Sequence, residues 1–127
     1  MSFKAPTNFE ALEGQPKKAN GQCVRLLQAI IPRMSLTIKW KAGEKIKGNM
    51  SIPKGTAIAT FFDGVYPNKL HGNHAAIYIS QDSKGIWVID QFVTSNPQRQ
   101  YINKRRLDFG DPKSSNNGNL FYVIEEK

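Results

Sequence analysis

The chain has 127 residues, which suits one domain that buries about two-thirds of the surface of its unfolded chain. Its 39% hydrophobic and 22% charged content is ordinary for a globular protein, and no apolar run approaches the roughly 20 residues that span a bilayer, so membrane insertion is not expected. The 18 basic residues outnumber the 10 acidic ones, and this net charge of +8 favours anionic partners without choosing among nucleic acid, acidic lipid and wall polymer.

Residues 1–21 are predicted to form the N-terminal arm of a single domain that spans 1–127, with Phe3, Phe9 and Leu12 as its apolar anchors. The arm shows no basic segment followed by an apolar stretch and a cleavage site. We therefore expect no signal peptide, and synthesis in the cytoplasm.

A helix is predicted over 22–31, where Pro32 ends it. Apolar residues wrap most of its cylinder, which is typical of a helix buried nearly all round. Asn20 and Gly21 are the expected cap residues. Cys23 would then lie in the first turn, where backbone N–H groups point outward without partners.

Four later segments have the composition of β-strands: 56–62, 74–80, 85–93 and 119–126. The polar stretch 81–85 between the second and the third of them predicts a hairpin. One helix followed by these strands indicates an α+β fold, in which the helix that carries the cysteine packs on a mainly antiparallel sheet.

Two polar segments are predicted to lie outside the core. The basic cluster Lys104–Arg106 is interpreted as solvated surface, with contact to a polyanion as the alternative. No recognisable nucleic-acid-binding motif surrounds it, so nucleic acid is not the expected partner. The turn-rich stretch 110–119 is predicted to be a mobile loop.

Cys23 is the only cysteine in the chain, so it cannot form an internal disulfide. With two histidines beside it, the set of soft ligands is too poor for a structural zinc site, and we expect no metal and no other cofactor. A free thiol with a pKa of about 8.5 is mostly protonated at neutral pH. The start of a helix favours the thiolate by roughly 0.3–1 kcal/mol, and a neighbouring imidazolium would favour it further.

His74 opens the apolar segment 74–80, so it is expected at the mouth of a buried strand, where it can face the helix start. The alternative is a hydrogen-bonded structural histidine. His71 lies in a turn, and exposure to solvent is expected for it. The candidates for lining a substrate cleft are Tyr66, His71, Trp40 and Trp87, although the two tryptophans are more typical of a core.

A base of this kind works best when a third group fixes its tautomer. If Ser80 pairs with Ile86, Asp90 lies diagonal to His74 on the same face of the sheet, within side-chain reach. If the loop is one residue shorter, the second strand turns over and Gln91 takes that place. Asp90 is preferred because a carboxylate stabilises imidazolium, but the register of the hairpin decides between the two.

The order of these groups resembles that of papain-like bacterial cell-wall amidases, most specifically the CHAP group (cysteine- and histidine-dependent amidohydrolase/peptidase). It is also similar to NlpC-type peptidases. The strings that carry this resemblance, which extends over roughly 14–126, are GQCV at 21–24, HAAIYI at 74–79 and GIWVIDQF at 85–92. Closer still, GTAIATF at 55–61 and the terminal FYVIEE resemble a small bacterial family related to type VI secretion amidase effectors.

The resemblance implies a papain-like fold and hydrolysis of a peptide bond in the stem or cross-link of peptidoglycan. It implies that Cys23 is the nucleophile, His74 the general base and Asp90 the orienting acid. Gln22 matches the residue before the nucleophile, either as an oxyanion-hole residue or as a polar helix cap, and the backbone N–H of Cys23 is the natural oxyanion donor. CHAP proteins often carry an asparagine just beyond the acid, where this chain has Phe92.

The resemblance also implies action in the periplasm of a target cell. Without a signal peptide, export by a type VI apparatus fits, with a cognate immunity protein guarding the producer, and release by phage-type lysis fits as well. Two other functions remain open. One is a catalytically inactive basic module that binds wall polymer or nucleic acid, in which Cys23 packs as a small hydrophobe. The other is a cysteine protease or acyltransferase that acts on a protein.

Overall fold

A computed structural model describes residues 2–69 and 71–127, and within them the backbone forms one six-stranded antiparallel sheet and one α-helix. The helix is α1 (Cys23–Ile30). The strands are β1 (Trp40–Lys45), β2 (Ala57–Thr60), β3 (Ala75–Gln81), β4 (Gly85–Asp90), β5 (Asn103–Asp108) and β6 (Phe121–Glu126). Their order across the sheet is β1-β6-β2-β3-β4-β5. The predicted α+β fold class is therefore confirmed.

The sheet buries apolar side chains on both faces, because successive residues of a strand point to opposite sides. One face packs against α1 and the N-terminal arm, where Leu26, Leu27 and Phe9 are buried. The other face is covered by Ile46 and Ile52, from the segment between β1 and β2. Leu26 and Leu27 have no exposed surface, and burying each contributes about 1.5–3 kcal/mol to folding.

Helix α1 is buried on one side only, whereas the sequence predicted burial nearly all round. Leu26 and Leu27 are buried, but Arg25 and Ala29 are exposed. The prediction was wrong because it counted as buried helix positions both Ala29, which faces solvent, and Ile31, which lies beyond the end of the helix. Ile31 is extended (φ −98°, ψ 119°), because Pro32 disfavours helical geometry at the residue before it. Its side chain is buried, but it does not belong to the helix.

The N-terminal arm is attached to the sheet by backbone hydrogen bonds and apolar contacts. The N–H of Ala5 donates to the carbonyl of Gly55 (2.8 Å), and the N–H of Gly14 donates to that of Ile102 (2.9 Å). Phe3 and Phe9 are buried under it. Among the described residues, no helix combines the length and the apolar character needed to cross a bilayer.

Strands β1 and β5 have no counterpart in the sequence prediction. Both lie at the edges of the sheet and are rich in charged residues, which keep edge strands from pairing with other chains but hide the alternating pattern of a strand. The basic cluster Lys104–Arg106 therefore lies within β5 and is not simply a solvated surface.

The segment 110–119, predicted as a mobile loop, is held by side-chain hydrogen bonds. The side-chain oxygens of Asn117 and Asn119 both accept from the N–H of Gly110, each at 2.9 Å. Ser114 Oγ donates to the carbonyl of Gly72 at 2.8 Å, so this segment also supports the loop before β3. Asparagine and serine side chains that pair with the backbone replace the regular ladder here.

The β3–β4 hairpin has a tighter turn than predicted. Ile86 pairs with Gln81 and not with Ser80, so the predicted Ser80–Ile86 pair is wrong. The reason is that the N–H of Asp82 donates to the carbonyl of Gly85 (3.0 Å), which leaves a two-residue loop between them. Near the loop, the strands therefore pair in the register that was predicted for a loop one residue shorter.

A β-bulge restores the predicted register at the other end of the hairpin. The pairing shifts between Tyr78 and Ser80, beyond which Tyr78 pairs with Val88 as predicted. The one extra residue in β3 compensates for the residue by which the loop is shortened. As a consequence, Asp90 lies on the same face of the sheet as His74.

Candidate active site

Cys23 lies in the first turn of α1, as the sequence predicted, and its side chain is half-buried; the helix begins at Cys23 with Gln22 as its N-cap, and not at Gln22 with Asn20 or Gly21 as the cap. The preceding Gln22 is extended (φ −71°, ψ 148°), and its N–H donates to Asn20 Oδ1 at 3.1 Å. Asn20 thus orders the chain just before the helix, while Gln22 makes no side-chain capping bond. The thiol therefore lies at the positive end of the helix dipole.

His74 is fixed through its backbone to the end of β2. Its N–H donates to Thr60 Oγ1 at 2.9 Å, and its carbonyl accepts from the N–H of Thr60 at 2.9 Å. The imidazole is buried, with 3% of the residue exposed, and lies edge-on to Phe92 and Phe121. These contacts leave the ring little freedom to rotate.

Asp90 is fully buried and holds the imidazole from β4. Its Oδ2 lies 2.7 Å from His74 Nε2. Burial by itself raises the pKa of Asp90, but the hydrogen bonds and positive charges of His74 and Arg105 outweigh it and hold the pKa below its ordinary value. The carboxylate is therefore ionised at neutral pH. Since Nε2 is committed to Asp90, Nδ1 is the ring nitrogen that can exchange a proton with the thiol.

Cys23 and His74 interact closely enough to shift each other's pKa. Burial opposes ionisation of Cys23, but hydrogen bonding to His74, its positive charge, and bonds from the Ala75 backbone and the Tyr66 hydroxyl lower the thiol pKa below its ordinary value. Burial likewise opposes protonation of His74, yet Asp90 and Cys23 together raise its pKa to about 9. The pair thus favours thiolate and imidazolium near neutral pH.

Tyr66 lies beside the thiol, with its hydroxyl oxygen 3.9 Å from Cys23 Sγ. Asn73 Nδ2 donates to the same oxygen at 3.1 Å, which leaves the phenolic proton available for another acceptor. Trp40 and Phe61 hold the ring at centroid distances of 4.9 and 6.2 Å. Burial, together with the negative charge of Cys23, raises the pKa of Tyr66, so its hydroxyl stays protonated.

Gln91 is buried but does not contact the imidazole. Its side-chain amide donates to the carbonyls of Lys18 (3.0 Å) and Gln22 (2.8 Å), and its oxygen accepts from the N–H of Lys18 at 2.8 Å. Gln91 therefore fastens the N-terminal arm and the start of α1 to the end of β4. In this geometry Asp90, and not Gln91, is the partner of His74.

The other three residues that were predicted to line the cleft differ in how deeply they are buried. Trp40 belongs to the core, with 1% exposed, and its indole N–H donates to the carbonyl of Ser35 at 3.1 Å. Trp87 is partly buried and packs on the core edge. His71 is exposed in the loop before β3, where its contact with a substrate stays a prediction.

Two residues of β5 complete the surroundings of Asp90, and sequence reasoning missed both. Arg105 Nε donates to Asp90 Oδ2 at 2.7 Å, and Asn103 Nδ2 donates to Oδ1 at 3.4 Å. Only the pairing of β5 with β4, in which Asp90 lies opposite Asn103, brings them there. No local pattern in the sequence distinguishes Arg105 from its basic neighbours.

The arrangement can perform nucleophilic chemistry: a half-exposed thiol with a lowered pKa, a buried base, and a carboxylate that orients it. Within the described part of the chain, no cluster of three or more histidine, cysteine or acidic side chains could hold a metal ion.

Comparison with known proteins gives matches that agree with one another and cover between 70% and almost all of this chain. A model of the family described as domesticated amidase effector 2 matches residues 3–124. The type VI secretion amidase effector 2 protein of Salmonella typhi is 38% identical over 130 residues, which cover 93% of this chain and 96% of that protein. The domesticated amidase effector 2 of Ixodes scapularis is 42% identical over 91 residues, which cover 70% of this chain and 58% of that protein.

A solved structure of a type 6 secretion amidase effector 2 has a TM-score of 0.85 to this fold at 35% identity, and the match covers 97% of this chain and 94% of that one. Sequence and fold thus agree over almost all of both proteins. The chain belongs to the domesticated amidase effector 2 family.

Proposed function

We propose that this chain is a cysteine amidase that hydrolyses a peptide bond in the stem or cross-link of peptidoglycan, with Cys23, His74 and Asp90 as its catalytic residues. The observation that carries the proposal is the buried 2.7 Å hydrogen bond between His74 Nε2 and Asp90 Oδ2, beside a half-buried thiol whose pKa His74 lowers. Its membership of an amidase effector family supports the reaction class.

In the first half of the reaction, the thiolate of Cys23 attacks the carbonyl carbon of the scissile amide. The S–C bond forms as the carbonyl electrons move to oxygen, and the tetrahedral intermediate then expels the amine. His74 gives its Nδ1 proton to that amine as the C–N bond breaks. A thioester on Cys23 and a neutral imidazole remain.

In the second half, a water molecule attacks the thioester carbonyl while His74 Nδ1 takes one of its protons. The C–S bond breaks, so the carboxylic acid product leaves and the thiolate–imidazolium pair is restored. Asp90 stays ionised throughout and holds neutral His74 in the tautomer that keeps a proton on Nε2, so that Nδ1 is free to accept the proton of the attacking water.

Negative charge on the former carbonyl oxygen needs donors in both halves. The backbone N–H of Cys23, at the first position of α1, is one such donor. Tyr66 is a second, since its hydroxyl accepts from Asn73 and the proton that it directs at the thiolate becomes available to the oxyanion once the sulfur has bonded to carbon. We propose that Tyr66 and the exposed His71 contact the substrate, while Gln22 and Gln91 shape the start of the helix.

The relatives are named as type VI secretion effectors, and we propose the same route for this chain. It would then act in the periplasm of a target cell, and its producer would carry an immunity protein. A net charge of +8 suits an enzyme that works on an anionic wall.

Mass spectrometry of purified sacculi digested with the protein tests the proposal. The wild type should release fragments that carry new amino and carboxyl termini within the stem peptide, with the glycan intact. Cys23→Ala and His74→Ala should each reduce the rate by at least about 1,000-fold. His71→Ala, on the exposed loop, should keep kcat and raise KM. Full activity in Cys23→Ala, or cleavage confined to the glycan, would refute the proposal.

A further inference from the structure

Arg105 approaches the candidate active site from the edge of the sheet. Strand β5 pairs with β4 so that Arg105 lies opposite Val88 and Asn103 lies opposite Asp90. Arg105 is therefore diagonal to Asp90 on one face of the sheet. His74 reaches the same carboxylate from β3, so two cations from two flanking strands converge on one buried acid.

The Arg105 guanidinium is held by two hydrogen bonds and by a ring contact. Nε donates to Asp90 Oδ2 at 2.7 Å, and Nη1 donates to Asn116 Oδ1 at 3.2 Å. Nη2 lies 3.3 Å from His74 Nε2, and the guanidinium carbon lies 4.8 Å from the centre of the Phe92 ring. The side chain is 21% exposed. The planar guanidinium thus presents its N–H donors in a fixed arrangement, called the fork below, which the single ammonium group of lysine does not reproduce.

The charges explain what such a fork does. In the reactive state the thiolate of Cys23, the imidazolium of His74 and the carboxylate of Asp90 sum to one negative charge in a largely buried site. Arg105 brings that sum to zero. When His74 becomes neutral in the catalytic cycle, Arg105 is the cation that still pairs with Asp90, and a buried carboxylate without a partner would be costly.

Resting on the proposed function, we propose that Arg105 is a positioning residue: its fork orients Asp90 behind His74, and its charge sets the pH range over which the Cys23–His74 pair is active. The charged or titratable groups that face His74 are Cys23 from α1, Asp90 from β4 and Arg105 from β5, while Tyr66, from the loop before β3, faces Cys23. A further cation, Lys17, lies on the other element that contacts Phe92: its Nζ is 5.9 Å from the centre of the Phe92 ring and donates to the Phe92 carbonyl.

The test compares Arg105→Met, Arg105→Lys and the matched control Arg106→Met. Arg106 is the next residue of β5, and its Nε pairs with Asp108 outside the site, so removing it deletes the same charge without touching Asp90. Two quantities are measured in each variant: the pH midpoint of Cys23 alkylation by iodoacetamide, and the pH profile of hydrolysis of purified sacculi, with kcat and KM separated.

Removal of a cation favours the protonated form of every nearby group. Arg105→Met should therefore move the alkylation midpoint and both limbs of the activity profile upward by roughly one pH unit, and lower kcat by about 10- to 100-fold. Arg105→Lys keeps the charge but not the fork, so its midpoint should stay close to the wild type while kcat falls and KM holds. Arg106→Met should match the wild type in both measurements.

The inference is overturned if Arg105→Met behaves as Arg106→Met does. Should Arg105→Met fail to fold, Arg105→Lys decides, and a wild-type kcat in that variant overturns the role of the fork. Alkylation needs no substrate, so it tests the role of Arg105 separately from the proposed substrate. If Arg105→Met shifts the alkylation midpoint but the wild type leaves sacculi intact, the role of Arg105 is upheld and peptidoglycan is refuted as the substrate. If the wild type cleaves sacculi but Arg105→Met shifts neither profile, peptidoglycan is upheld and the role of Arg105 is refuted.

Discussion

Reactivity of Cys23 depends on groups from several elements more than on its own position. A helix start favours the thiolate by roughly 0.3–1 kcal/mol, but burial of the sulfur works in the opposite direction. The imidazolium of His74 outweighs the effect of burial and lowers the thiol pKa. The helix therefore positions the sulfur, and His74, just before β3, favours its ionisation.

Alkylation of Cys23 should reveal this dependence. In the wild type the iodoacetamide reaction should have its pH midpoint below the value of about 8.5 of a free cysteine. In His74→Ala the midpoint should rise above 8.5, because the burial that opposes ionisation remains while its counter-charge is lost. His71→Ala is the matched control and should behave as the wild type. Equal midpoints in the two histidine variants would contradict the pairing.

Tyr66→Phe should separate the contribution of the Tyr66 hydroxyl to catalysis from the contribution of its ring to packing. The ring contact with Trp40 persists in the variant, so the protein should fold, but the donor beside Cys23 is lost. If the phenolic proton meets the oxyanion, kcat should fall by roughly 100-fold. Tyr78→Phe is the control, since its hydroxyl pairs with Gln81 at 3.2 Å, away from the site. Similar rates of sacculus hydrolysis in both variants would remove Tyr66 from the mechanism.

At the scale of single elements, the β3–β4 hairpin shows how one extra residue decides a site. A tight turn pairs Gln81 with Ile86, and the bulge before Ser80 returns the strands to the register that faces Asp90 toward His74. Without the bulge, the turn would bring Gln91 to that face, and the imidazole would have an amide in place of a carboxylate as its partner.

The position of β5 depends on a close approach at the start of β4. A Cβ added to Gly85 would lie 2.5 Å from the carbonyl oxygen of Leu107, which is backbone and cannot turn aside. Gly85→Ala should therefore lower the free energy of unfolding by about 1–3 kcal/mol, measured by urea denaturation. Ser83→Ala, exposed in the same turn, should be close to neutral. A neutral Gly85→Ala would show that the edge strand yields easily.

At the scale of the whole molecule, the sheet brings together residues that are distant in the chain. Cys23 precedes every strand, His74 lies just before β3, Asp90 ends the neighbouring strand β4, and Arg105 comes from an edge strand. Packing of α1 on the sheet places the thiol against the end of β3. The site therefore exists only in the folded protein, and its ionisation is coupled to stability.

Acid stability should report that coupling through Asp90. Its pKa is lowered in the folded protein relative to about 3.9 in an unfolded chain, so its stabilising contribution is present above about pH 4 and is lost as the pH falls through the folded value. Asp90→Asn should cost about 3–5 kcal/mol at neutral pH, because it leaves buried cations unpaired.

The difference in unfolding free energy between the wild type and Asp90→Asn should therefore be constant above about pH 4 and shrink as the pH is lowered below that value, measured by urea denaturation at each pH. Asp63→Asn, exposed in a turn, serves as the control and should show a small difference. A difference for Asp90→Asn that stays constant below that value as well would mean that the carboxylate is not ionised by its neighbours.

Much of the fold follows from local patterns. The start of α1 at Cys23, the four apolar strands and the place of His74 at a strand mouth could be predicted because each depends on residues close together in the chain. The α+β class and the family resemblance were confirmed. Charged edge strands escaped the prediction, since β1 and β5 lack the apolar alternation that marks a half-buried strand.

By itself, the sequence determined which side chains could react and narrowed the partner of His74 to Asp90 or Gln91. Only the tertiary structure chose Asp90, because the register at Asp90 depends on both the length of the turn and the bulge in β3, and the bulge offsets the one-residue shortening of the turn. It alone placed Tyr66 and Arg105 beside the site, because each arrives by packing or strand pairing with residues far away in the chain. Local periodicity carries no record of such contacts.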